Sequence, residues 1–267
     1  MTPSFPPAMT PLGPINWIGL WTLYAKEVRR FMKVFLQTVA APVISTMLFL
    51  AIFALAMDRG GQTMNGVPFS RFLVPGLAMM SIIQNAFANT SSSLLLSKLQ
   101  GNIVDILMPP LSPWELTLAY VAGGATRGLV VGLAVILALL PFCPVGIENA
   151  GLVLLFALEA AVLMSAVGVL TGIWADKFDH STVISNFVIM PLSFLSGTFY
   201  SIDRLPPMLR WFSHINPFFF MIDGFRAGFI GVSDGLAGVH LLVLTAINLV
   251  LLWATEVLFR IGYKLKA

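Results

Sequence analysis

The sequence predicts an all-α polytopic membrane protein with six transmembrane helices. Three observations carry that prediction. Of 267 residues, 58% are hydrophobic and only 10% charged, against roughly 45–50% and about 25% in soluble domains. Six apolar runs, near 34–57, 70–95, 114–140, 150–175, 182–200 and 238–260, are each long enough to cross about 30 Å of hydrocarbon at about 1.5 Å per residue. The connectors between them, near 58–69, 96–113, 141–149, 176–181 and 201–237, hold most of the Pro, Asp and Arg.

The basic residues orient the runs. With the N-terminus inside, Lys26, Arg29, Arg30, Lys33, Lys98, Lys177, Arg260, Lys264 and Lys266 fall on the inner side. Arg59, Arg71, Arg204, Arg210 and Arg226 fall outside, and Arg127 lies within a span. That is nine against five, with all six lysines inside, so the positive-inside rule places both termini in the cytoplasm. The single cysteine, Cys143, excludes an intrachain disulfide.

Residues 1–15 read as a short disordered tail. MTPSFPPAMTPLGP has no basic n-region followed by an apolar core, so it is not a cleavable signal peptide. Residues 16–33 follow as a helix. Trp17, Trp21, Tyr24, Val28, Phe31 and Phe35 recur at steps of three and four, and Lys26, Glu27, Arg29, Arg30 and Lys33 fill the remainder. An aromatic face beside a charged face predicts a helix lying in the headgroup layer. A cytosolic amphipathic helix packed on a partner is the alternative.

The outer connector, 201–237, is long yet patterned. Pro206 and Pro207 suit a helix start. Asn216-Pro217 ends one helix and opens another, because a residue before proline avoids the α region. The apolar load of Met208, Leu209, Trp211, Phe212 and the following phenylalanines predicts two short helices dipping into the outer leaflet as a re-entrant hairpin. That hairpin is expected to pack on spans five and six.

At this point the residues resemble a known family. FLSGTFYSIDRLPPMLRWFSHINPFFFMIDGFRAG (194–228) resembles the signature region of the ABC-2 type permeases, in particular their YadH-like bacterial subgroup. AKEVRRFMKVFLQTVAAPVISTMLF (25–49), RFLVPGLAMMSIIQNAFANTSSS (71–93), AGGATRGLVVG (122–132) and ADKFDHSTVISNFVIMPLSFLSGTFY (175–200) resemble it in the same order. The resemblance implies six transmembrane helices within one domain over 16–267, an N-terminal interfacial helix, a cytoplasmic coupling helix after span two, and an outer re-entrant element before span six.

It also implies a mechanism. The connector 97–110 has Leu99, Ile103, Ile106 and Leu107 on one helical face, and Pro109-Pro110 stops that helix. In the family this helix docks into an ATPase groove. The resemblance assigns that contact to Lys98, Gly101, Asn102, Asp105, Leu107 and Pro109; by itself the pattern fits an ordinary interfacial helix. No G-x-x-x-x-G-K-[ST] phosphate loop and no Gly-Lys dipeptide occur. ATP and Mg are therefore expected on two separate ATPase subunits, and this chain has no catalytic, cofactor or metal site of its own. Leu195-Ser196-Gly197, which invites comparison with an ATPase signature loop, reads as small residues for helix packing. A second permease subunit, a homodimer by expectation, completes an alternating-access pathway in the bacterial inner membrane.

Polar positions suggest the lining of that pathway. Ser81, Asn85, Asn89 and Ser92 form a stripe on span two, and Asn186 and Ser193 share a face of span five. Interhelical hydrogen bonding is the plainer role for any one of them. Met79 and Met80 would supply an adaptable apolar wall, which suits an amphiphile, drug, lipid or lipo-oligosaccharide. Arg127 and Glu159 lie at depths that differ by about 4–5 Å and are expected to pair between adjacent helices. Glu256 and Arg260 form an i, i+4 pair. The rival functions are an ATP-independent channel or secondary transporter, and a membrane-embedded enzyme. The enzyme reading lacks an H-E-x-x-H motif or paired carboxylates, and His180, His214 and His240 sit in connectors or at span ends.

Overall fold

The computed structural model describes residues 15–57, 63–64, 66–201, 206–231, 233 and 235–265. The predicted tail, except Ile15, lies outside the described residues, as do Arg59, Arg204, Leu205 and Lys266.

The chain is mostly helical. The helices, in order, are α1 (Trp17–Met32), α2 (Phe35–Met57), α3 (Phe69–Leu99), α4 (Ile103–Leu107), α5 (Pro113–Leu139), α6 (Ala150–Trp174), α7 (Phe178–Ile184), α8 (Met190–Leu195), α9 (Pro207–Ile215), α10 (Pro217–Ile230) and α11 (Ala237–Ile261). A two-residue antiparallel hairpin, Thr63–Met64 with Val67–Pro68, precedes α3. Helices α2, α3, α5, α6 and α11 are long and apolar enough to cross a membrane.

Local chemistry sets the boundaries. Asn16 and Asn149 cap α1 and α6 by accepting from backbone N–H groups of the first turn. Ser112 and Glu115 form a capping box on α5. Pro207 and Pro217 occupy first turns, where their missing N–H costs nothing. Gly101 follows α3 at φ 73°, a left-handed turn that side chains resist, and so redirects the chain into α4.

The fifth apolar run is not one regular span. A π turn, Ser185–Ile189, joins α7 to α8, and the helical path ends at Leu195, with Ser196 outside helical geometry. Ser196-Gly197 is therefore a helix end rather than a helix-packing step. Ser196 Oγ accepts from Asn216 at 2.7 Å, and the Gly197 carbonyl accepts from Arg226 at 2.6 Å.

α3 is the axis of the bundle, flanked by α5 and α6, with α10 covering its first turns. Small residues let these backbones approach. At Gly168 on α6, a Cβ would stand 2.1 Å from Thr90 Oγ1 and 2.5 Å from the Phe87 carbonyl, and Thr90 Oγ1 donates to the Ser165 carbonyl at 2.9 Å. The larger core joins Phe69, Phe72, Leu73, Ile83 and Phe87 of α3 with Phe156 and Met164 of α6 and Ile222 and Phe225 of α10. In contrast, α2 and α11 leave most apolar side chains uncovered: Leu36 is 79% exposed and Leu242 73%.

The outer hairpin meets the sixth run as expected, but its larger contacts are with the fourth and second. α10 lies against α6, α3 and α11, the fourth, second and sixth runs, with α8 a lesser neighbour. The fifth run meets the hairpin mainly through hydrogen bonds. Asn216 Nδ2 donates to the Leu192 carbonyl at 3.1 Å, and Ser213 Oγ donates to the Leu195 carbonyl at 3.2 Å. The reason is the early end of α8, which leaves too short a surface for α10 to lie along.

Candidate functional site

One end of the bundle gathers α4, the start of α1 and the C-terminal segment. The Asn16 backbone N–H donates to Glu115 Oε1 at 2.6 Å, and its side chain reaches the Pro110 carbonyl at 3.2 Å. Lys98 Nζ donates to the carbonyls of Gly172, Ile173 and Ala175 at 3.3, 2.7 and 2.7 Å. Lys264 Nζ donates to the Trp174 carbonyl at 3.0 Å and to Asp176 at 2.8 Å. Two ammonium groups thus satisfy the last carbonyls of α6, where the helix dipole favours positive charge. The Asp176 carboxyl is held below the usual carboxylate range chiefly by its hydrogen bond from Lys264, and Lys264 is raised by the same bond.

α4 is divided between packing and presentation. Ile103 and Ile106 are buried against Leu94, Leu116 and Tyr120. Gly101, Asn102, Val104, Asp105, Met108 and Pro109 are exposed, Met108 at 77%. A cleft of about 540 Å³ runs between α1 and α4, lined by Gly19, Lys26, Asn102, Asp105, Ile106 and Pro109. Of the six residues expected to couple, Gly101, Asn102, Asp105 and Pro109 lie on this open side. Leu107 is half-buried, and Lys98 is turned inward to close α6. Val104 and Met108, exposed apolar neighbours of Asp105, were not singled out by sequence reasoning. Their signal was available, because they alternate with the buried Ile103 and Ile106.

A second polar region lies deeper. α1 does not run across the bundle; it follows α5 inward. Tyr24 and Thr126 hydroxyls meet at 3.1 Å, and Glu27 stands against Gly123. Glu27 and Arg30 therefore leave the charged face predicted for α1. Glu27 is fully buried and accepts from Ser93 Oγ at 2.7 Å and from Arg30 Nη2 at 3.3 Å. Arg30 Nη2 also donates to the Asn89 carbonyl at 2.7 Å and Asn89 Oδ1 at 2.9 Å.

The α3 stripe is divided by these contacts. Ser81 and Asn85, with Gln84 and Met80, wall a groove of about 230 Å³ against Pro42, Ser45 and Thr46 of α2. Asn89 is sealed beneath Arg30, and Met79 is fully buried. Ser92 and Asn186 share a separate groove of about 240 Å³ with Phe178 and Ser185. Ser193 is not with Asn186: it is fully buried and donates to the Ile189 carbonyl at 2.7 Å. A regular helix brings residues seven apart nearly into line; the π turn takes up one extra residue, which rotates Ser193 away by about 100°.

Arg127 and Glu159 do not pair. Arg127 Nη2 donates to Asn85 Oδ1 at 3.3 Å. Glu159 accepts from Thr245 at 2.9 Å and from Asn248 Nδ2 on α11. Similar depth on adjacent helices fixes height but not azimuth, and the two side chains face opposite sides of the α5–α6 layer. Glu256 and Arg260 do pair, at 2.5 Å.

At the other end, Pro206 and Pro207 open α9, whose Met208 and Trp211 are 81% and 64% exposed. Asn216 closes α9 and caps α10 through Phe218 N–H at 3.1 Å. Arg226, 2% exposed, lies over the Phe72 ring at 3.7 Å from its centroid. Gly231–Gly235 spells G-x-S-x-G, a string that sequence reading passed over. Ser233 Oγ donates to Asp223 Oδ2, and His240 Nδ1 lies 3.3 Å from the same oxygen. The carboxylate stands between serine and imidazole, so the imidazole is not placed to take the serine proton. The cluster ties the loop after α10 to α11.

The sequence model of the ABC-2 type transporter family matches residues 19–230. The "Inner membrane transport permease YadH" of Escherichia coli (strain K12) is 41% identical over 220 residues, covering 82% of this chain and 86% of that protein. "Nodulation protein J" of Sinorhizobium fredii (strain NBRC 101917 / NGR234) is 23% identical over 242 residues, 88% of each chain. Its namesake from Rhizobium leguminosarum bv. viciae is 24% identical over 248 residues, 89% of this chain and 91% of that one.

Proposed function

Because the chain belongs to the ABC-2 type transporter family, we propose that it is the membrane-spanning permease subunit of an ATP-driven exporter. Its place is the bacterial inner membrane, as the name of the YadH relative suggests. Two separate ATPase subunits supply the force, and a second permease subunit, here a second copy, completes the pathway. The broken helix from α7 to α8 serves as a sixth crossing. The start of α1 sits at the inner interface, and α9 and α10 form the outer re-entrant hairpin. The basic residues gathered around α4 and the α6 terminus support a cytoplasmic position for that end and for both termini.

One observation carries the reading: α4 is anchored by Ile103 and Ile106 while its opposite side, beside the cleft to α1, is left open. Such a helix can be pushed without being dislodged. When the ATPase subunits close on ATP, force applied to Val104, Asp105 and Met108 passes through Ile103 and Ile106 into the start of α5 and the end of α3. The backbones at Gly168 and Thr90 are in close contact, so α3 and α6 move together rather than bending. The cargo class supported by Met80, Phe49 and the amides of the α2–α3 groove is an amphiphile.

The test is purification from cells that coexpress an ABC ATPase encoded beside this chain. Wild type is expected to retain the ATPase. A Val104→Glu/Met108→Glu double variant is expected to lose at least about tenfold of it, the scale of a lost interface anchor. Solute movement by the chain with no ATPase bound would instead support the channel or secondary-transporter reading.

A further inference from the structure

Four buried donor atoms lack an acceptor along one band of the bundle. They are Arg30 Nε on α1, Gln84 Nε2 and Asn89 Nδ2 on α3, and Arg127 Nε on α5. Asn89 Oδ1 already accepts from Arg30, Asn85 Oδ1 from Arg127, and Glu27 from Ser93 and Arg30, while the buried Tyr120 hydroxyl on α5 is also without a partner. The orientation of Asn89 is fixed by that network, because its oxygen must face the guanidinium. Charge is unbalanced in the same direction. Glu27 pairs with Arg30, and among the described residues no carboxylate pairs with Arg127.

A surplus of N–H donors with a surplus positive charge calls for a ligand that only accepts, which is an anion. The groove lined by Gln84 and Asn85 gives it an approach, and Phe49, Leu77 and Met80 in the same groove suit an attached apolar chain. We infer that this band binds the phosphate or carboxylate of an anionic amphiphile in passage, with Arg127 as its charge partner and Gln84 as an orienting amide. Arg127 lies about 20 Å from either end of α5 at about 1.5 Å per residue. A resident lipid keeps its headgroup near the span ends, so an anion at Arg127 is one being moved.

The inference rests on the permease reading and names its cargo class. The full chain, copurified with its ATPase, is placed in phosphatidylcholine nanodiscs. Binding is measured for short-chain phosphatidic acid, for phosphatidylcholine of equal chain length, and for inorganic phosphate. Wild type is expected to prefer phosphatidic acid. Arg127→Gln is expected to weaken that binding by about ten- to a hundredfold, the range for a hydrogen bond to a charged group. Arg127→Lys should restore most of it, and Gln84→Leu should weaken it while melting as wild type does. An unchanged preference in Arg127→Gln overturns the proposal, and so does failure of Arg127→Lys to restore binding. Inorganic phosphate competing as well as the lipid overturns the amphiphile. An ATPase that fails to copurify tells against the permease reading instead, and lipid binding by the chain remains readable.

Discussion

Among individual residues, Lys98 best separates sequence from structure. The family resemblance assigned it an ATPase contact, yet its ammonium closes three carbonyls at the end of α6. That neighbour is contributed by residues some seventy-five positions away, which no local pattern can reveal. Lys98→Met is expected to lower stability by about 1–3 kcal/mol, the cost of stranded carbonyls. It should be read as a lower melting temperature in detergent with ATPase retention unchanged. Asp176 and Lys264 form the exposed part of the same closure. The Asp176 carboxyl titrates below its unfolded value, so its contribution is present above the ordinary carboxylate range and is lost as pH falls through the lowered one. Lys264 titrates above its unfolded value, so its contribution is lost only as pH rises through the lysine range. A spin label at Tyr263→Cys in a Cys143→Ser background should gain mobility in acid and at high salt, and remain ordered near neutrality. Equal mobility throughout would contradict this closure.

Helices and their packing divide along a similar line. The five long spans were legible because an apolar run of sufficient length announces itself in composition. The split at Asn216-Pro217 was legible because proline constrains the residue before it. The π turn was not: one extra residue in a turn leaves no mark on hydropathy, and it was enough to part Ser193 from Asn186. The pairing of Arg127 with Glu159 failed for a related reason, since sequence gives depth along a helix but not which neighbour a side chain meets. Glu159 depends on α11, and Asn248→Leu removes a donor from that carboxylate. Asn248→Leu is expected to cost about 1–3 kcal/mol, whereas Glu159→Gln, which removes the charge itself, should cost less. Melting temperatures of the two variants in one detergent make the comparison. At the α3–α6 contact, Gly168→Ala should destabilise by about 1–3 kcal/mol through overpacking, because the nearest obstacles include the Phe87 carbonyl as well as Thr90.

In the molecule as a whole, the two ends differ in kind. One gathers lysines, the closed terminus of α6 and the open side of α4. The other inserts α10 beside the first turns of α6, with Gly228 against Asn149 and Val153 and Gly224 against Phe156. Between them lie the polar grooves of α3. This polarity is what a gate worked from one side requires. The central claim is that α4 faces the cytoplasm and receives the ATPase, and the chain's single native cysteine makes it directly measurable. In a Cys143→Ser background, Met108→Cys is exposed in turn to a membrane-impermeant maleimide in intact spheroplasts and in inside-out vesicles. Labelling is expected only in the inside-out vesicles, with protection when the ATPase is bound. Labelling of intact spheroplasts from outside, or labelling indifferent to the ATPase, would contradict it.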